Sequence, residues 1–159
     1  YKVKAASLDI DKTINSYALG VGCGFTIDPF FVNTMGWMAR NGKQMGLHQA
    51  DAQGAQIDSV TGSLTNDKDL GCALVIGANI QKVTIEAGYG YVESKLDASG
   101  AKKDDAQNYY LQAVIPIAGS DSAKLSVTPE IGVIDYMKDS KGDTQGKAIY
   151  VGAKWQLDF

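Results

Sequence analysis

A strict alternation of apolar residues with small or polar ones constrains the fold of this chain most. In residues 17–27 every odd position is apolar, and the even positions include Gly20, Gly22 and Gly24. Successive side chains of a β-strand point to opposite faces, so a period of two predicts strands, and three closely spaced glycines disfavour a helix. The alternation recurs in residues 83–92, 109–117, 124–133 and 148–159.

Three further segments fit strands less clearly: residues 1–8, 30–40 and 71–78. The phase of residues 30–40 stays open, because both of its faces are apolar. In residues 71–78 the expected apolar face holds Cys72, Leu74 and Ile76. Short turns and long polar connections alternate between the eight resulting strands. This order predicts an antiparallel up-and-down meander in one domain spanning residues 1–159. The long connections are residues 9–17, 41–69, 97–107 and 138–146.

The apolar face of such a sheet can be interpreted in two ways. In a soluble barrel or sandwich it packs in the core, whereas in an outer-membrane barrel it contacts lipid and the other face lines the lumen. Glycine favours the second interpretation, because a water-facing sheet surface is normally rich in Thr, Lys and Glu. On an inner wall, glycine leaves room for water, for opposing side chains or for an inserted loop. The glycines on the polar faces of the five clear strands are Gly20, Gly22, Gly24, Gly88, Gly90, Gly132 and Gly152.

Aromatic residues cluster toward the strand ends and leave an aliphatic band between them, as at the two interfaces of a membrane. The sequence therefore predicts a transmembrane antiparallel β-barrel, in which residues 41–69 form a long extracellular loop. The predicted membrane-interface aromatics are Tyr17, Phe25, Tyr89, Tyr91, Tyr109, Trp155 and Phe159.

Charged residues on the opposite face are the candidate pore-lining set. They can either create a transverse field that orders water and weakly selects ions, or form a paired network that only stabilises the barrel. The predicted pore-lining residues are Lys2, Lys4, Glu86, Lys124, Glu130, Lys154 and Asp158.

Composition excludes several other classes of protein. A formal net charge of −3 is unsuited to neutralising many phosphates of a nucleic acid, and no run of 18 apolar residues could form a transmembrane helix. Cys23 and Cys72 fall on the apolar face of strands that another strand separates, too far apart for a disulfide. We therefore expect free, buried thiols that act as small hydrophobic residues.

No motif predicts catalysis. The glycines at 20, 22 and 24 resemble a dinucleotide loop, but they lie inside a strand. His48 is the only histidine, and no strand-borne Ser–His–acid set accompanies it. The sequence thus predicts neither an enzyme nor a cofactor nor a metal site. Four pairs of acids lack the spacing of a calcium loop and are expected to be solvated: Asp9 and Asp11, Asp67 and Asp69, Asp104 and Asp105, Asp139 and Asp143.

The terminal run AIYVGAKWQLDF ends on Phe159, with apolar residues at alternate positions before it. It resembles the C-terminal signature of bacterial outer-membrane β-barrels, which the assembly machinery of that membrane recognises. Residues 124–159 resemble the last hairpin of general trimeric porins. The resemblance implies a Gram-negative outer membrane, a homotrimer with lipid and lipopolysaccharide as neighbours, and passive diffusion of small hydrophilic solutes and ions.

Porins of this type carry about 16 strands, twice the number expected here. Strand pattern from the first residue and the glycine-rich inner wall favour the C-terminal half of such a barrel. One alternative is a complete eight-stranded outer-membrane barrel with a structural or adhesive role through its long loops. Another is a soluble ligand-binding β-barrel.

Overall fold

The computed structural model describes residues 2–5, 10–47, 54–119 and 123–159. Strands dominate this part of the chain, with one short 3-10 helix at Gly42–Met45. No helix in the described ranges is long and apolar enough to cross a membrane. The strands are β1 (Lys2–Ala5), β2 (Ile10–Thr13), β3 (Tyr17–Ile27), β4 (Phe30–Arg40), β5 (Gln56–Ile57), β6 (Leu64–Thr65), β7 (Asp67–Ile80), β8 (Val83–Leu96), β9 (Lys103–Gly119), β10 (Lys124–Lys138) and β11 (Lys147–Asp158).

Seven of these strands form one antiparallel sheet in the order β11-β10-β9-β8-β7-β4-β3. Neighbours in the sheet are also neighbours in sequence, except that the 3-10 helix and the small β5–β6 sheet lie between β4 and β7. The prediction of an all-β antiparallel meander is confirmed. The described strands do not close into a barrel: β3 and β11 are the two edges of the sheet.

The predicted first strand does not join this sheet. Within residues 1–8, only β1 is described as a strand, and it pairs with β2 in a separate two-stranded sheet that matches Lys2 with Thr13 and Ala5 with Ile10. A local hairpin closes only a short loop, so its entropic cost is small. The main sheet therefore contains seven described strands rather than eight.

Several strands extend beyond the ends that alternation predicts. The strand expected at 109–117 begins at Lys103, and the strand expected at 83–92 continues to Leu96. These extensions carry polar residues on both faces, so hydrophobic periodicity gives no signal for them. As a result, the predicted connection at 97–107 shortens to residues 97–102. The connection predicted at 41–69 also ends earlier, because Asp67 already belongs to β7.

Strand register assigns the side chains to two faces, because paired residues lie on the same face. We define face A by the row Phe25, Val32, Ile76, Ala87, Leu111, Ile131 and Val151, and face B as the opposite face. The apolar sets predicted for the five clear strands all fall on face A, as do Cys72, Leu74 and Ile76. In β4, whose phase the sequence left open, Phe30 and Met38 lie on face A, whereas Trp37 lies on face B.

Burial follows the reverse of the soluble pattern. In β7 the face-B residues Asp67, Asp69 and Gly71 are buried, while Leu70 and Cys72 on face A are exposed. Every exposed large hydrophobic side chain of the sheet except Met35 lies on face A. The buried polar side chains in the described part are Asn41, Asp67, Asp69, Ser94, Asp105, Thr128 and Asp135, against Ile14, Ala39 and Ala106 as buried apolar ones. The sheet thus exposes apolar residues and shelters polar ones.

Candidate functional site

Face A carries an uncharged, mainly apolar band that crosses all seven strands. The band is nine to eleven residues long on each strand, which corresponds to roughly 31–37 Å along the strand. Its only hydroxyl group outside the tyrosines belongs to Thr34, which donates a hydrogen bond to the Ala73 carbonyl at 3.1 Å. From β3 to β11 the band covers residues 17–27, 30–38, 70–80, 83–91, 109–117, 125–133 and 149–159.

The band runs obliquely to the hydrogen-bonded rows. Its centre lies level with Gly22 on β3 and with Lys154 on β11, both of which are face-B positions. The pairing row that starts at Gly22, however, reaches β11 at Ala148, six residues earlier. The band therefore shifts by six residues over the six steps between strands, an average of one residue per step. With strands about 4.8 Å apart, this shift corresponds to a tilt of about 35° and a band height of roughly 25–30 Å.

All seven predicted interface aromatics share face A, in which Phe159 continues the alternation of β11. Tyr17 lies at the long-loop edge of the band on β3, and Phe159 at the short-turn edge on β11. Near the long-loop edge, the Tyr89 hydroxyl donates to Gln107 at 3.1 Å and the Tyr91 hydroxyl to Glu93 at 2.7 Å. The tyrosine rings thus lie in the band while their hydroxyls meet polar groups, the arrangement such amphipathic side chains favour at an interface.

Face B contains the same arrangement of three residues twice. Tyr110 lies over Gly88 on the neighbouring strand, and its hydroxyl donates to the Glu86 carboxylate at 3.2 Å. Tyr150 lies over Gly132, and its hydroxyl donates to Glu130 at 2.5 Å.

In each case a Glu-x-Gly segment on one strand faces a tyrosine on the next, and a Cβ on the glycine would overlap the tyrosine ring. Sequence reasoning missed these units. One signal for them was available in the sequence. Glu-x-Gly occurs on both β8 and β10, and the strand that follows each of them carries a tyrosine.

Glycine on face B therefore serves mainly to receive neighbouring side chains. Trp37 covers Gly71 and Phe31 covers Gly77, in the same way as the two tyrosines cover their partners. The sequence allowed three uses of glycine on an inner wall: room for water, for an opposing side chain or for an inserted loop. At these positions the glycine makes room for a side chain. Gly152, in contrast, has open space where a Cβ would stand.

Five of the predicted pore-lining residues lie on face B. Glu86 and Glu130 flank Gln112 in one row, and Gln112 donates a short hydrogen bond to Glu86. Lys124 pairs in register with Asp158, and Lys154 with Thr128. Lys2 and Lys4 are not placed with these five residues. Their strand β1 pairs with β2 in a separate two-stranded sheet, and their side chains lie outside the described part.

The start of the long connection is fixed by Asn41, which is fully buried and has the left-handed backbone that asparagine tolerates. Its side-chain amide donates to the Asn15 carbonyl at 2.7 Å and to Asn66 Oδ1 at 2.8 Å, and its Oδ1 accepts from the Asp67 amide at 3.0 Å. The amide of Gly42 donates to Asp69 Oδ2 at 2.6 Å. Both ends of the connection and the segment before β3 are thereby held together.

Beyond this anchor, the connection reaches over face B. Gly46 and Leu47, just after the 3-10 helix, line a cavity of about 520 Å³ together with face-B residues of six strands. Those residues include Met35, Trp37, Ala73, Gly90, Asn108, Ile134 and Tyr150. The connection that the sequence predicted as residues 41–69 thus partly covers the polar face.

The acidic residues are less solvated than the sequence predicted. Asp67, Asp69 and Asp105 are buried because the strands extend into the segments expected to be loops. Asp139 does lie in a turn, where hydrogen bonds from backbone amides, foremost that of Asp143, hold its pKa below the usual range. Asp9 and the side chain of Asp11 lie outside the described residues.

Within the described residues, no three His, Cys, Asp or Glu side chains are grouped to hold a metal ion. His48 lies outside those residues. Cys23 and Cys72 are free, as predicted, but they are exposed on face A rather than buried.

Comparison with known protein families, with curated proteins and with solved structures finds no match.

Proposed function

We propose that this sheet is part of the wall of an outer-membrane porin, through which small hydrophilic solutes and ions diffuse passively. The observation that carries the proposal is the oblique apolar band of face A. Its height and tilt correspond to the lipid-facing band of roughly 25 Å and the strand tilt of about 35–45° of outer-membrane barrels. In a soluble barrel an apolar band of this kind lies on the inner, buried face, whereas here it lies on the exposed face of the sheet.

Exposure of the band supports lipid as its environment. Val21, Val151 and Trp155 are 78%, 77% and 66% exposed, and no described segment covers them. A contiguous apolar surface of this extent marks a membrane or an interface with another protein. In the proposed homotrimer, part of face A contacts neighbouring subunits and the remainder contacts lipid and lipopolysaccharide.

Barrel size is inferred from the sheet edges. Among the described strands, β3 and β11 each pair with one neighbour and form the opposite edges of the sheet. An eight-stranded barrel would bring these edges almost together, with its interior filled by side chains. The open edges support a larger barrel of about 16 strands, to which this sheet contributes seven.

Face B is then the wall of the lumen. Glu86 and Glu130 accept hydrogen bonds from neutral tyrosine and amide donors, so their negative charges are not cancelled by these partners. Such carboxylates favour cations in a water-filled channel. Solutes pass through the channel without a chemical step, a cofactor or an energy source. The segment after the 3-10 helix narrows the lumen.

Single-channel recording of the intact protein in a planar bilayer tests this function. We expect steady, ohmic steps with mild cation preference, which the double variant Glu86→Gln/Glu130→Gln reduces. The control Asp28→Asn removes a charge from the β3–β4 turn and should leave selectivity unchanged. Silence of a protein that is well inserted would contradict a porin and support a structural barrel, and extraction without detergent would support the soluble barrel.

A further inference from the structure

Two aromatic side chains that line the cavity on face B lean toward each other. The Trp37 ring reaches from β4 over Gly71 on β7. The Tyr150 ring reaches from β11 over Gly132 on β10, and its hydroxyl is held by Glu130 at 2.5 Å. Because a Cβ on either glycine would overlap the ring, glycine lets both rings lie close to the sheet. Both aromatic side chains are half-buried, so part of each remains accessible.

The floor of the cavity is one row of paired residues on five adjacent strands. The row consists of Met35, Ala73, Gly90, Asn108 and Ile134, all of which line the cavity. Asn108 is the polar member of this row, and its side chain extends over Gly90. An amide supplies both a donor and an acceptor, here in the middle of a floor that is otherwise small or apolar.

Size and charge indicate an uncharged organic ligand. The cavity volume of about 520 Å³ lies within the range of roughly 300–1,000 Å³ that is usual for ligand pockets. None of the described residues that line the cavity carries a formal charge, and the face-B carboxylates Glu86 and Glu130 are not among them. Aromatic and apolar walls with a few polar groups are typical of sites that bind small organic molecules.

The chemistry of the walls favours a saccharide over other neutral molecules. C–H bonds on one side of a pyranose ring present a weakly positive surface, which can stack on the negative face of an aromatic ring. Sugar hydroxyls can also donate to and accept from the amide of Asn108. A purely apolar ligand would cover that amide without giving it a hydrogen-bond partner, which is unfavourable for a buried polar group.

The separation of the rings sets the length of the ligand. Trp37 lies over β7 and Tyr150 over β10, three strand spacings apart, which corresponds to about 14 Å across the strands. A ligand that contacts both rings must span this distance. One pyranose ring is too short, whereas a short oligosaccharide is long enough.

We propose that this cavity binds a neutral oligosaccharide of about two or three sugar units. Trp37 and Tyr150 stack on its terminal rings, and Asn108 forms hydrogen bonds with hydroxyls between them. Leu47, which lines the same cavity, contacts the bound sugar. This inference deepens the proposed function, because it needs face B to line a lumen that solutes enter. Binding at such a site is saturable, unlike free diffusion through a pore.

Saturation-transfer NMR of the intact protein in detergent measures this binding without requiring channel formation. The probes are cellotriose and maltotriose, which differ in linkage, with uridine as a neutral aromatic ligand and tetraethylene glycol as a neutral chain without sugar rings. At least one trisaccharide should bind saturably, and tetraethylene glycol should not.

Variants test the role of each wall. Trp37→Ala and Asn108→Leu should each weaken trisaccharide binding about 10-fold, whereas Trp37→Phe keeps an aromatic ring and should retain most of the affinity. The matched control is Phe31→Ala. Phe31 also reaches from β4 over a glycine of β7, Gly77, but it lies about 20 Å from Trp37 along the strand, so its loss should leave the affinity unchanged.

Absence of saturable binding by both trisaccharides would overturn the proposal, and so would an unchanged affinity in Trp37→Ala. Binding of uridine as tight as that of the trisaccharides would show a general aromatic site and overturn the saccharide assignment. If the protein conducts ions but binds no sugar, only this inference falls. If it binds the sugar but forms no channels in bilayers, the porin proposal falls and the sugar site stands.

Discussion

Two isoleucines on β7 offer a direct measure of whether face A contacts lipid. Ile76 lies near the middle of the apolar band, and Ile80 lies at its short-turn end. Both are on face A, and they are 49% and 53% exposed. Their separation of four residues corresponds to about 13 Å along the strand and about 11 Å in depth at the inferred tilt.

Replacing each with arginine should have different effects in a membrane. Ile76→Arg should lower the free energy of unfolding by about 3 kcal/mol, because it places a cation near the bilayer midplane. Ile80→Arg should cost about 0.5 kcal/mol, because its guanidinium reaches the interface. The assay is reversible urea unfolding of the intact protein in lipid vesicles, followed by tryptophan fluorescence.

Equal costs for the two variants would refute the reasoning. If face A met water, both substitutions would stay within about 0.5 kcal/mol, as is usual for exposed sites. If face A were a protein core, both would be strongly destabilising. A bilayer is indicated only if Ile76→Arg lowers the free energy of unfolding much more than Ile80→Arg, because the two isoleucines are about equally exposed.

Three further predictions concern the glycines of face B, the Asn41 anchor and the Lys68–Asp97 ion pair. Gly88→Ala should destabilise the protein by about 2 kcal/mol in urea unfolding because its Cβ overlaps a tyrosine ring, whereas Gly152→Ala, which meets open space, should be neutral or mildly stabilising. Asn41→Ala should cost about 3 kcal/mol and speed hydrogen exchange in the connection after β4, because buried partners lose their hydrogen bonds; unchanged exchange would contradict the anchor. Lys68→Gln should raise the pKa of Asp97 in a carboxyl NMR titration, since the lysine stabilises the carboxylate and its contribution is lost as the pH falls through the lowered pKa.

Face assignment could be predicted from the sequence because it depends on a local pattern. Alternation at period two places residues 17–27 and 148–159 in strands, and it also shows which side chains share a face. Antiparallel order followed from the alternation of short and long connections. These features are set by neighbours in sequence, so they could be derived without knowing what packs against them.

What the sequence could not provide depends on pairing between strands. Tyr110 covers Gly88 only because register places them opposite each other, and burial of Asp67 follows from an extension of β7 that has no apolar alternation. The predicted first strand paired locally with residues 10–13 instead of joining the main sheet. In each case the outcome depends on which partner a segment finds, and hydrophobic periodicity does not encode that choice.

The central claim is that face A meets lipid while face B meets water. A spin-label scan of β9 over residues 109–117 in vesicles, with the intact protein and with Cys23 and Cys72 replaced by alanine, measures both environments. We predict that oxygen accessibility peaks at odd positions such as Leu111, and that accessibility to a water-soluble nickel complex peaks at even positions such as Gln112. Oxygen accessibility without alternation, or nickel accessibility highest on face A, would contradict the claim.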